Sequence, residues 1–204
     1  MSPTFLYRTF DNEDYAKQFV EAGQFRLSLL ALYKEIEDQS RQDPREGKSS
    51  WHPRSDDSRV LAPQGKRPHV GGYHINPLYL FCTAGPDAKL SHLRKKFGQW
   101  VVRINDPSRF LTDLDKATPA RTNMTLIGKI KLEPVSYTRD EELPIDPNSH
   151  EAYRLPYTQK SSSDRDDHEF RYIATAKPTI PAEGSPAHYL YYDFNRKIRY
   201  AELL

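Results

Sequence analysis

Hydrophobic and polar positions alternate along several short segments of the chain, which is the pattern of strands with one buried face. In the first segment, residues 4–10, Phe5 and Tyr7 lie on one side and Arg8 on the other. This pattern predicts a first strand whose apolar side faces a core. Similar patterns predict further strands at 24–28, 78–83, 99–104, 126–132, 135–138 and 169–174.

Helical periodicity occupies the gaps between some of these strands. Asn12 is a good N-cap, Gly23 is a good stop, and Asp106-Pro107 starts another helix. Shorter helical patterns cover 29–36 and 88–96. The predicted apolar face of the first helix consists of Tyr15, Ala16, Phe19 and Val20.

The order of these elements predicts the fold class. Residues 188–194 and 197–202 flank Asn195-Arg196 and are expected to form a hairpin. A long polar stretch at about 37–72 has no sustained apolar period and is expected to be a loop. Many strands, few helices and no regular βαβ alternation predict one α+β domain over 1–204, with mainly antiparallel strands.

Composition narrows the cellular setting. The chain has 204 residues, a net charge of +2 and a single cysteine, Cys82, so no internal disulfide is available. No apolar run approaches the ~20 residues of a membrane helix, and the N-terminus lacks a signal-peptide pattern. We therefore expect a cytoplasmic protein without a membrane partner.

Positive charge is concentrated in two segments, although the net charge is small. Arg94, Lys95, Lys96 and Arg103 lie in an acid-free stretch. The second segment contains Arg196, Lys197 and Arg199. Either these residues are solvated strand and helix faces, or they form a basic stripe that binds nucleic acid.

Tyr7-Arg8 is the first of three segments whose residues suit chemistry. If Tyr7 faces the core, Arg8 must find solvent, an acidic partner or an anion. A diphosphate fits, because a guanidinium binds it through two parallel hydrogen bonds. A salt bridge on an edge strand is the structural alternative.

The second segment places Arg26 and Ser28 on one strand face, with Tyr33 on the helical pattern that follows. An aromatic ring beside Arg and Ser can stack on a flat heterocycle while its neighbours hold a ribose or phosphate. Ordinary core packing of Tyr33 is the alternative.

The third segment, 161–171, joins a polar loop to a strand. Glu169 and Arg171 project to the same side, and Asp167 joins them if the strand extends back to it. A carboxylate at a strand entry can hydrogen-bond a sugar hydroxyl and stabilise positive charge that develops there. A solvated strand end is the alternative. No tight His/Cys group appears, so no metal is expected.

In this order, the three segments resemble the layout of the ADP-ribosyltransferase superfamily, including its small bacterial toxins from toxin–antitoxin phage-defence systems. The resemblance implies two packed sheets around a cleft for NAD, which is the co-substrate. It also implies catalytic roles for Glu169 and Asp167, a nucleic-acid acceptor with RNA favoured over protein, and an antitoxin partner. The NAD-binding residues it implies are Tyr7, Arg8, Arg26, Ser28 and Tyr33.

This interpretation requires Arg8 and Glu169 to converge on one pocket. Two other classes of function remain open from the residues alone. One is a metal-dependent nuclease or phosphoesterase that uses Asp43, Glu46 and the acids of 164–169. The other is a non-catalytic interaction module that binds through its polar loop. The chain lacks GxGxxG, GxxxxGK and GxSxG motifs, which disfavours Rossmann, P-loop and α/β-hydrolase chemistry.

Overall fold

A computed structural model describes residues 2–30, 32, 77–120, 124–137, 158–178 and 188–204. The predicted polar loop at 37–72 and Tyr33 lie outside these residues, as do Asp43 and Glu46. The helical pattern predicted at 29–36 falls mostly outside them. Its first residue, Leu29, belongs to a strand.

The described elements are short strands with a few helices between them. Strand β1 (Leu6–Phe10) leads into helix α1 (Glu13–Lys17) and a π-helical turn (Gln18–Ala22), and β2 (Gln24–Leu29) follows. The middle of the chain contains β3 (Leu78–Ala84), α2 (Leu90–Phe97), β4 (Trp100–Ile104), α3 (Pro107–Lys116), β5 (Met124–Leu126) and β6 (Lys131–Pro134). A 3-10 segment (Ser162–Asp167), β7 (Glu169–Pro178), β8 (Tyr189–Asp193) and β9 (Ala201–Leu203) complete the described chain.

All nine described strands join one antiparallel network that forks at β3. One edge of β3 pairs with β7 along its whole length. The other edge pairs with β2 at Leu80 and with β1 only at Ala84, so these two strands diverge. The branches are β1-β4-β9 and β2-β8. The α+β class with antiparallel strands is confirmed, whereas two separate packed sheets are not.

The predicted C-terminal hairpin is wrong. Strand β8 pairs with β2, and β9 pairs with β4, so the two strands lie on different branches of the fork. Asn195 has a left-handed backbone (φ 51°), and its N–H is bonded to the Asp193 side chain at 2.7 Å. The chain therefore does turn at Asn195, but it then crosses from the β2-β8 branch to the β1-β4-β9 branch instead of returning alongside β8.

One face of the sheet carries an aromatic core, covered by the N-terminal helical segment and α3. Phe19 and Phe110 come from these helices, and their ring centroids lie 5.7 Å apart. Rings from the strands close around them. The predicted Asn12 cap and Gly23 stop are confirmed, because Asn12 accepts from the Asp14 N–H and Gly23 is left-handed. Tyr15, predicted on the apolar face, is instead 60% exposed.

Substitution of Gly98 tests the close approach of β1 and β4. Gly98 has φ 128°, and an added Cβ would lie 2.5 Å from the Phe10 carbonyl oxygen. Gly98→Ala is therefore expected to lower the free energy of unfolding by about 3 kcal/mol, through backbone strain and a backbone clash.

Gly128→Ala is the matched control, because Gly128 is also left-handed (φ 72°) but an added Cβ would meet nothing within 4 Å. That variant should lose only about 1 kcal/mol, from the conformation alone. Urea unfolding of the two variants measures the difference. Equal losses would show that the contact with Phe10 is unimportant.

Candidate functional site

Strand register decides which predicted site residues share a face of the sheet. Residues directly opposite one another on paired strands project to the same side. Tyr7 is opposite Ala84, and Ala84 is opposite Glu169. Ser28 of β2 is opposite Leu80 of β3. Because Leu80 is four residues from Ala84 on β3, both project to the same side, and Ser28 shares this face. With Arg26, also on this face, four predicted residues lie on the side away from the aromatic core.

Arg8 lies on the opposite face. Its guanidinium carbon lies 4.7 Å from the centroid of the Phe81 ring in the aromatic core, and Nη1 donates to the Cys82 carbonyl at 2.6 Å. The predicted convergence of Arg8 and Glu169 on one pocket is therefore wrong. The physical reason is that β1 is apolar on both faces, and Leu6 and Phe10, rather than Tyr7, contact the aromatic core.

Glu169 is held at the point where the 3-10 segment becomes β7. His168 makes this turn with a left-handed backbone (φ 45°), and its carbonyl accepts from the Gly85 N–H at 2.7 Å. The Glu169 N–H donates to the Tyr137 hydroxyl at 2.6 Å, and its carbonyl accepts from the Val135 N–H at 2.9 Å. The main chain on both sides of this carboxylate is thus fixed.

The side chain of Glu169 belongs to a group of alternating charges, called here the Glu169 cluster. Oε1 accepts from Arg171 Nε at 2.7 Å, and Oε2 lies 2.9 Å from Lys160 Nζ. Lys160 lies 3.7 Å from Asp167, which also contacts Lys96 at 2.9 Å. The members of the cluster are Lys96, Lys160, Asp164, Asp167, Glu169 and Arg171.

The cluster keeps Glu169 ionised although the residue is only 7% exposed. Burial alone would raise the pKa of Glu169, but the charges and hydrogen bonds of Arg171 and Lys160 outweigh it and hold the pKa well below its ordinary range. Burial likewise works against the charge on Lys160, yet its acidic neighbours, chiefly Glu169, raise the pKa of its ammonium group. Both groups are therefore charged at neutral pH.

An ionised, desolvated carboxylate has defined chemical uses. It cannot serve as a general acid at neutral pH, because that role needs a raised pKa. It can stabilise positive charge that develops close to it. Arg171 and Lys160 each contact one oxygen of this carboxylate, at 2.7 Å and 2.9 Å.

Asp167 anchors the cluster from one side. It is 2% exposed and precedes the strand rather than extending it. Lys96 reaches both of its oxygens, and His92 Nε2 lies 2.9 Å from Oδ1. Because Asp167 is buried and contacts Lys96 and Lys160, it is suited to hold these two lysines in position rather than to contact an acceptor molecule.

Three of the acids proposed for a metal-dependent nuclease, Asp164, Asp167 and Glu169, are paired with cations in this cluster. Lys96 contacts Asp164 and Asp167, and Lys160 contacts Glu169. A divalent ion at these carboxylates would have to displace ammonium groups that are 3.0 Å away or closer. Within the described part of the chain, no group of three His, Cys, Asp or Glu residues is placed to hold a metal.

Sequence reasoning found the centre of this site and missed most of its neighbours. The shared side of Glu169 and Arg171 is confirmed by their contact. Lys160 and Tyr137 were missed, because no motif or spacing in the sequence links them to Glu169. Lys96 carried a signal in the basic run of α2, but it turns inward to the cluster.

The basic segments are largely occupied by protein partners. The Arg94 guanidinium donates to the Leu204 carbonyl, and Arg103 pairs with Glu202. In the C-terminal segment, Arg196 pairs with Asp113 and Lys197 pairs with Glu21. The described residues therefore favour solvated, paired faces over a continuous basic stripe.

Comparisons with known proteins add no assignment. No protein-family model matches the chain, and neither a curated protein nor a solved structure matches it significantly. The described helices are all too short or too polar to cross a membrane.

The depressed pKa of Glu169 gives a pH prediction with a definite sign. Because the folded-state pKa lies below the ordinary value of 4.5, the stabilisation is complete above that value and is lost as the pH falls below it. The urea midpoint should therefore fall steeply between about pH 5 and pH 3. Glu169→Gln should flatten this decline, whereas Glu202→Gln, at an exposed ion pair, should retain it. Equal acid sensitivity in both variants would contradict the assignment.

Proposed function

We propose that the chain is an NAD-dependent ADP-ribosyltransferase whose key carboxylate is Glu169. The observation that carries the proposal is a buried, ionised carboxylate at a strand entry, on the sheet face shared with Tyr7, Arg26 and Ser28. This combination supports charge stabilisation at a sugar, which is what the sequence resemblance implies. The acceptor is nucleic acid, with RNA favoured over protein.

The chemistry follows from the bond that breaks. The link between the nicotinamide nitrogen and the ribose C1′ breaks, and nicotinamide leaves neutral with the electron pair. Positive charge develops on the ribose, and Glu169 stabilises it while accepting a hydrogen bond from the 2′-hydroxyl. A nucleophile on the acceptor then bonds to C1′ and releases its proton to solvent, because the low pKa of Glu169 makes it a poor base.

The remaining residues have supporting roles in this proposal. Arg171 and Lys160 hold the Glu169 carboxylate in one orientation, and Asp167 holds Lys160. Tyr7 is the proposed contact to NAD on this face, and Tyr33 is the proposed ring that packs on nicotinamide. Ser28 shares the face but is opposite Leu80, four residues along β3 from the partner of Glu169. Arg8 is left out, because it lies on the other face. The proposed setting is a cytoplasmic toxin held in check by an antitoxin.

A non-catalytic interaction module is the second candidate. The observation that favours it is the burial of the Glu169 cluster, since buried ion pairs also occur as purely structural devices. That candidate predicts no NAD cleavage by the purified chain.

The deciding experiment is incubation of the full chain with NAD labelled in its adenylate part, together with RNA, DNA or protein from cell extract. The proposal expects nicotinamide release and label in the RNA fraction, both unchanged by EDTA. EDTA-sensitive cleavage of the RNA or DNA, without nicotinamide release, would support the nuclease class instead. No nicotinamide release with any acceptor would overturn the proposal in favour of the interaction module.

A further inference from the structure

The outer branch of the fork carries an exposed group of rings that the Glu169 cluster does not use. On the face shared with Glu169, Tyr189 is opposite Ser28, and Tyr191 is opposite Arg26. The ring centroids of the two tyrosines lie 5.9 Å apart. Tyr191 is 41% exposed, so much of its side chain is open to solvent.

A cation is already stacked on this group. The guanidinium carbon of Arg26 lies 4.0 Å from the centroid of the Tyr189 ring, and Arg26 is exposed. His188, also exposed, has its ring 6.3 Å from that of Tyr189. Of these four side chains, named here the outer platform, Arg26, His188 and Tyr191 are exposed to solvent, whereas Tyr189 is half-buried.

We propose that the outer platform binds the unstacked bases of single-stranded RNA and thereby presents the acceptor to Glu169. Aromatic rings and guanidinium planes on an open sheet face are the groups on which single-stranded bases stack, and one base contributes roughly 1–3 kcal/mol. Neighbouring tyrosines two residues apart on one strand suit successive bases. Arg26 adds a positive charge for the backbone phosphate between them.

The outer platform is placed so that RNA bound to it could extend towards Glu169. This part of the inference rests on the proposed transferase function. Three strand spacings and four residues of strand separate Tyr189 from Glu169, which is about 20 Å in a regular sheet. The outer platform therefore lies beside the proposed NAD site rather than within it, and Arg26 is assigned to the acceptor instead of NAD.

Binding of a fluorescein-labelled single-stranded oligouridine to the full chain, without NAD, tests the platform directly. Tyr191→Leu and Tyr189→Leu should each weaken binding roughly tenfold. The control is Tyr15→Leu on α1, which removes a ring that is 60% exposed, more than the 41% of Tyr191, on the opposite side of the sheet and should leave binding unchanged. A self-complementary RNA duplex should compete poorly, because its bases are already stacked.

Nicotinamide release from NAD by the same variants separates this inference from the proposed function. Platform variants should release nicotinamide as the unaltered chain does, while transferring less label to RNA. Unchanged oligouridine affinity in both tyrosine variants would overturn the platform. Loss of nicotinamide release would also overturn it, by placing these residues in the NAD site. Label that enters protein rather than RNA would reject RNA as the occupant. RNA binding without any NAD cleavage would leave the platform standing and reject only the transferase.

Discussion

Glu169→Asp is expected to lower NAD cleavage about 100-fold or more while leaving the chain folded. The substitution keeps the negative charge that Arg171 and Lys160 require. It withdraws the carboxylate by one methylene group, so the proposed hydrogen bond to the ribose 2′-hydroxyl would be lost. A transition-state interaction is lost in this way without an unpaired buried charge, which Glu169→Gln would create.

Nicotinamide release at saturating NAD measures this effect, and urea unfolding of the same preparation measures the fold. Glu202→Gln is the matched control, because Glu202 also pairs with an arginine but is exposed and distant from the cluster. We expect Glu202→Gln to keep full activity. If Glu169→Asp and Glu169→Gln both cleave NAD normally, Glu169 is not the catalytic carboxylate.

Arg171→Met is expected to give the largest loss of stability, about 3–5 kcal/mol. Arg171 is 1% exposed and is the largest fully buried side chain among the described residues. Its removal leaves the buried Glu169 carboxylate with Lys160 as its remaining cation in the cluster. Methionine fills a similar volume, so the loss of stability would come mainly from the missing charge and its hydrogen bonds rather than from a cavity.

A double-mutant cycle with Glu169→Leu separates the pair from its surroundings. Because each single change strands a buried charge, the double variant should be more stable than the sum of the two losses predicts, by about 2 kcal/mol. Urea unfolding at neutral pH supplies the four free energies. Strict additivity would mean that the 2.7 Å contact between Arg171 and Glu169 contributes nothing to folding.

Local patterns predicted most of the strands and caps, because their causes are local. The predicted strands at 126–132 and 135–138 are wrong, since the strands of this region are Met124–Leu126 and Lys131–Pro134. Strand β2 agrees with the alternation of Phe25 and Leu27, and α3 begins at Pro107 behind the Asp106 cap. The hairpin prediction failed because strand pairing is not local. Nothing in residues 188–204 indicates that β8 joins β2 while β9 joins β4.

The failure at Arg8 has a different cause. Alternation assigns faces only when one side of a strand is polar. In the first segment of the sequence, Phe5 and Tyr7 on one side compete with Leu6 and Phe10 on the other. Both sides of this strand are apolar, so alternation cannot assign them. In the structure, the side that faces the aromatic core is the one that also contains Arg8.

The contact between Glu169 and Arg171 was predictable, because the two residues lie two positions apart on the same strand and therefore project to the same side. Lys160 was not, because the loop and 3-10 segment between it and Glu169 fold back through contacts that no spacing encodes. The same limit applies to the outer platform. Its tyrosines are visible in the sequence, but their position beside Arg26 depends on the pairing of β2 with β8.

A sheet that divides into two diverging strands leaves a gap in its ladder of main-chain hydrogen bonds, and some other donor has to fill it. On β3 the gap lies at Cys82, between the pairings at Leu80 and Ala84, and the Arg8 guanidinium donates there. Few residues can take its place, since the donor must extend from a neighbouring strand and lie flat against Phe81. Arg8, which the family resemblance assigns to NAD, is thus used within the fold, where its guanidinium satisfies the carbonyl at which β1 and β2 diverge.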